Sequence, residues 1–141
     1  MHMNPDFWNI LHDGVITHVS GSVPGDVRIG VEIDYLRERF AEPGDQIVLT
    51  LLGCTALSYH PFEDPPVAGF TDLVAARPEI LRAKDWTDAS IVECNNGDLR
   101  VTAADAALAL DSGREISLAE LQTVAEAYWT EWSSRSKPTG N

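Results

Sequence analysis

The sequence predicts an α+β fold: an antiparallel sheet of about five to seven strands, built from hairpins and packed on a long C-terminal helix. Three observations carry this. Residues 26–35 alternate, with Val27, Ile29, Val31, Ile33 and Tyr35 on one face and Arg28, Glu32 and Asp34 on the other, the period of a half-buried strand. Asn96-Gly97 separates two β-rich segments, the strongest short hairpin signal. Ser117-Leu118-Ala119-Glu120 reads as a capping box. It opens a stretch in which Leu118, Leu121, Val124, Ala125, Tyr128 and Trp132 recur at three- and four-residue steps, the stripe of an amphipathic helix. Strands followed by one long helix place the chain in the α+β class.

The elements follow in order. Residues 5–11 carry Phe7, Trp8, Ile10 and Leu11 and read as a turn against the core edge. Residues 15–20 are β-branched and form a hairpin with 26–35 across Pro24-Gly25. Residues 36–42 suit either one helical turn or a ragged strand end. Residues 47–52 suit a central strand, continued by 55–59 past a bulge at Gly53. Residues 60–66 hold three prolines and read as a loop. Residues 71–77 suit a short helix with Thr71 as N-cap. Residues 79–87 are a weaker strand.

The second hairpin joins 89–95 to 98–102, with Asn96-Gly97 as its two-residue turn. That register opposes Glu93 to Arg100 and Cys94 to Leu99. Residues 106–111 add a strand, and the final helix runs from 118 to about 134. Trp132 falls on its buried stripe and Trp129 off it, so Trp129 is the tryptophan expected to be partly exposed, as a contact anchor or as a cap on the sheet edge.

The 141 residues predict one domain, with an ordered core over about 5–135 and a frayed tail at 136–141. Met1-His2 reads as an addition before a native start at Met3. No stretch is apolar for the length of a membrane span, and no signal peptide is read at the N-terminus. A cytoplasmic protein is expected. The chain holds 22 acidic and 10 basic residues, a net charge of -12. The charge is shared by both halves, so it describes a shell rather than a tail. Such a chain is poorly suited to nucleic acid or to an anionic membrane. It suits plain solubility or a proteome with an acidic bias, and, as the sharper alternative, a basic protein partner drawn in by long-range attraction.

No cofactor motif is present: no GxGxxG, P-loop, GxSxG or HExxH. Cys54 and Cys94 read as buried free thiols. Cys54 with His60 would make a nucleophile pair only if a basic environment lowered the thiol pKa. A metal or small-molecule site would need His12, Asp13, His18 and His60 to converge. Three of the four have a plainer reading: a turn for His12-Asp13 and a half-buried strand position for His18. The surface residues best placed for a partner are Glu32 and Asp34 on the 26–35 strand, and Glu126 and Glu131 flanking Trp129. A homo-oligomer paired through a sheet edge is a third reading.

The opening Phe7-Trp8-x-x-Leu11-His12-Asp13-Gly14-x-Ile16, followed by an alternating hairpin ending at Tyr35, resembles small acidic bacterial proteins of the toxin-immunity type. The resemblance covers about the first 35 residues. It implies a single-domain inhibitor that occludes its target, and it brings no catalytic residue with it.

Overall fold

The β-rich segments pair antiparallel throughout, but they assemble into two sheets rather than one. The computed structural model describes residues 3–86 and 89–136. The expectations for Met1-His2, for the strand end at Thr87 and for the tail beyond Ser136 fall outside these residues.

In chain order the elements are α1 (Asp6–Asn9), β1 (Val15–Gly21), β2 (Gly25–Glu32), α2 (Asp34–Arg37), β3 (Gln46–Cys54), β4 (Ala56–Pro61), α3 (Phe70–Ala75), β5 (Ile80–Trp86), β6 (Ala89–Cys94), β7 (Gly97–Thr102), β8 (Asp105–Leu110), β9 (Glu115–Ile116) and α4 (Leu118–Ser136). The first sheet has the order β1-β2-β3-β8-β9 and the second β4-β7-β6-β5. The α+β class and the long C-terminal helix are as expected; among the described residues, nine strands in two sheets replace the single sheet of five to seven.

The two sheets are continuous through one bent ribbon. β3 runs into β4 across Thr55, while its partner β7 runs into β8 across Ala103 and Ala104. Backbone bonds from Thr55 to Thr102 (2.8 Å) and from Ala104 to Leu52 (2.9 Å) hold the bend. Gly53 sits in it at a φ of 61°, a left-handed conformation that glycine takes without a Cβ penalty. At the other side, Asp13 and Gly14 bond to Ile80, and Ile16 bonds to Pro78. The inner faces therefore share one core. Ile29, Leu49 and Leu51 come from the first sheet and Tyr59, Val92 and Leu99 from the second, all fully buried. Each such side chain stabilises the fold by roughly 1.5–3 kcal/mol.

Three local readings are corrected by tertiary contacts. The 26–35 strand stops at Glu32, and Asp34 opens the single turn α2. Ile33 and Leu36 are both buried, so the apolar row continues across a change of backbone geometry. Asp34 is exposed at the start of that turn and Glu32 is half-buried in β2; they do not share a strand face. On β1, a register irregularity between Ile16 and His18 turns His18 out to solvent, against the half-buried position expected for it.

The second hairpin turns at Asn95-Asn96, with Cys94 opposite Gly97 and Glu93 opposite Asp98. Gly97 is needed in the strand rather than in the turn: a Cβ there would lie 2.6 Å from the His60 carbonyl and 2.8 Å from the Pro61 Cα. Asn96 donates from its amide to the Ala76 carbonyl (2.9 Å) and accepts from the Tyr59 hydroxyl. Asn95 accepts from the Glu79 backbone at 3.0 Å. The shifted register keeps Val92, Cys94, Leu99 and Val101 buried. It hands Glu93 to Arg82 and Lys84 of β5 instead of Arg100.

Helix α4 begins as expected, with the Ser117 hydroxyl accepting from the Glu120 N–H at 3.0 Å. Leu121 and Ala125 are buried, and Leu118, Val124 and Trp129 pack against the core. Trp132, expected on the buried stripe, is 51% exposed. Residues 130–134 are all exposed, so α4 projects past the body it packs on. Periodicity aims Trp132 at the core side, but no core lies beneath it.

Candidate functional site

The projecting end of α4 meets the α1–β1 link and α2 in an aromatic cluster. Trp129 stacks on His12, with ring centres 5.4 Å apart and planes 16° from parallel. It also meets Tyr35 edge-on at 5.7 Å, Tyr128 at 5.0 Å and Trp132 at 5.8 Å. Such offset and edge-to-face pairs add about 0.5–1.5 kcal/mol each beyond burial.

His12 is fixed from two sides. Its Nδ1 lies 3.0 Å from the Asn9 carbonyl, and its own carbonyl accepts from the Tyr35 hydroxyl at 2.7 Å. Burial raises the Tyr35 phenol above its ordinary value, with Asp13 and Tyr128 adding to the effect. The Tyr35 hydroxyl is therefore a donor held in place rather than an acid.

One side of this cluster already binds a cation. The Arg39 guanidinium lies 5.3 Å from the Tyr128 ring centre and pairs with Glu131. On the other side, α1 and α4 flank an open groove of about 960 Å³, lined by Asp6, Asn9, His12, Gln122, Glu126 and Trp129 among others. None of the described residues that line it is a lysine or an arginine. Both carboxylates, Asp6 and Glu126, are exposed, and neither has an ion-pair partner among the described residues.

The residues expected to meet a partner are thus sorted. Glu126 and Trp129 share the groove. Glu131 faces away from it, committed to Arg39. Glu32 and Asp34 lie on separate elements, β2 and α2. Sequence reading missed Asp6 and the exposed Trp132. It also missed Arg39, whose distance of 92 residues from Glu131 leaves no local signal.

The histidines and Asp13 do not assemble into a ligand set. His12 belongs to the aromatic cluster, and Asp13 is exposed at a φ of 70°. His18 is exposed on β1. His60 lies on β4 of the other sheet, where its Nε2 is 2.8 Å from the Ser58 hydroxyl. Burial and then Arg100 lower the His60 pKa, against Asp98. Among the described residues, no group of three or more His, Cys, Asp or Glu side chains is placed to hold a metal ion.

Both cysteines are buried and free. Burial pushes the Cys94 thiol up to about 12 and raises Cys54, whose thiol donates to the Ala56 carbonyl at 3.4 Å. Such thiols are poor nucleophiles.

Comparison of the chain with known protein families, curated proteins and solved structures finds no match. No helix among the described residues is long and apolar enough to cross a membrane.

Proposed function

We propose that this chain is a non-catalytic interaction protein that binds a basic protein partner, acting as an immunity-type inhibitor in the bacterial cytoplasm. The observation that carries the reading is the α1–α4 groove. It sets the His12 and Trp129 rings and two carboxylates, Asp6 and Glu126, that have no ion-pair partner among the described residues, on one surface of a chain with a net charge of -12. Dispersed negative charge accelerates encounter with a positive surface, and a partly buried tryptophan supplies the apolar contact that holds it. The N-terminal resemblance to immunity proteins supports the same role.

The test is capture from the native lysate at low salt, identification of the bound protein, and titration of that purified protein at about 50 mM and about 300 mM salt. A basic partner whose affinity falls steeply between the two conditions is the expected result. An acidic or neutral partner bound with salt-independent affinity would contradict the proposal, as would recovery of no partner.

A further inference from the structure

The geometry points to the α1–α4 groove as a receptor for an arginine side chain of the partner, held over Trp129 and between the carboxylates of Glu126 and Asp6. This rests on the basic-partner reading above and names the chemistry that the groove recognises.

The fold contains its own precedent. On one side of α4, Tyr128 and Glu131, three residues apart, hold a guanidinium: Arg39 lies over the ring and pairs with the carboxylate. Residues three apart are neighbours on a helix surface. Glu126 and Trp129 set a carboxylate and an aromatic at the same spacing in the reverse order along the helix, and they line the groove together. Asp6 brings a second carboxylate from α1, so a cation in the groove meets negative charge from two elements.

None of the described lining residues is a lysine or an arginine, whereas Glu131, Glu42 and Glu93 all pair with arginines of this chain. The Trp129 ring is held by His12, Tyr35, Tyr128 and Trp132, so little ordering is left to occur on binding. A planar guanidinium suits this setting better than an ammonium, because it stacks on an aromatic face while presenting a fork of donors to carboxylates.

The experiment is an NMR titration of the full chain with tetra-arginine amide, with tetra-glutamate as the negative control. Wild type is compared with an Asp6→Asn/Glu126→Gln variant and with Glu63→Gln/Asp64→Asn. The last variant removes the same charge from the exposed loop after β4. The expected result is shifts centred on the Trp129 indole N–H, with upfield movement of arginine side-chain protons. The groove variant should bind roughly threefold to tenfold more weakly, and the loop variant should match wild type.

Equal weakening in both variants would overturn the groove while leaving the basic-partner reading intact. Wild type that fails to bind tetra-arginine at low salt would overturn both. All four substituted residues, Asp6, Glu126, Glu63 and Asp64, are exposed, so loss of folding does not obscure the comparison.

Discussion

Arg37 Nε donates to Asp111 Oδ1 at 2.8 Å, joining α2 to the end of β8 across 74 residues of sequence. The Arg37 side chain is 1% exposed and that of Asp111 is 24% exposed. Arg37 also donates to the carbonyls of Gln46, Glu42 and Pro43. Asp111 accepts from the Asp45 and Gln46 N–H groups at 3.0 and 3.1 Å. A buried guanidinium is thus almost fully bonded, and it anchors the segment from which Tyr35 and Arg39 reach the aromatic cluster.

Removing that anchor should be costly. Arg37→Met removes the guanidinium donors from three carbonyls and from Asp111 Oδ1, while Asp111 keeps its two backbone N–H bonds. The expected loss is about 3 kcal/mol, at the low end for a broken buried pair because Asp111 keeps some water. Urea unfolding measures it; a loss below about 1 kcal/mol would place the pair with ordinary surface ion pairs.

The same contact makes stability depend on acid. Burial alone would raise the Asp111 carboxyl, but the bonds from Asp45, Arg37 and Gln46 outweigh it and hold the group below its ordinary value. A carboxylate lowered in the folded state contributes stability above its unfolded pKa, and that contribution disappears as pH falls through the folded value. Unfolding free energy should therefore drop as pH falls below the ordinary aspartate range, and Asp111→Asn should flatten part of that drop. An unchanged slope in the variant would assign the acid sensitivity to other groups.

Gly97→Ala should destabilise the second sheet. The added methyl would strike the His60 carbonyl and the Pro61 backbone, and overpacking of this kind costs about 1–3 kcal/mol. Thermal melting reads the effect. A neutral substitution would mean that Gly97 does not lie beneath β4.

The two tryptophans near the end of α4 should behave differently. Trp132→Gln is expected to change stability by no more than about 0.5 kcal/mol. Trp129→Leu should cost about 2 kcal/mol through lost ring contacts and partial burial. Equal effects in chemical unfolding would contradict the projecting helix end.

What sequence could disclose was the local part of this fold. The alternation through β2, its hairpin with β1 and the Ser117 cap are short-range patterns, and each is observed. The errors share one cause, which is that a distant contact decided a local choice. Gly97 is required by β4 rather than by a turn. Trp132 points in the direction that periodicity gives, but periodicity is silent on where the core ends. His18 follows the irregularity beside Thr17, for which residues 15–20 offer no cue. Of the site, Trp129 and Glu126 were legible as an aromatic with a nearby carboxylate. Asp6 and the Arg39–Glu131 pair were not, because α1, α2 and α4 meet only in three dimensions.

The structure of the complex with tetra-arginine amide tests the groove most directly. A guanidinium is expected within about 6 Å of the Trp129 ring centre, with its N–H groups within about 4 Å of the Glu126 or Asp6 carboxylate. Peptide bound instead at Glu32 and Asp34, or along the exposed Phe62 and Leu81, with the groove empty, would contradict it.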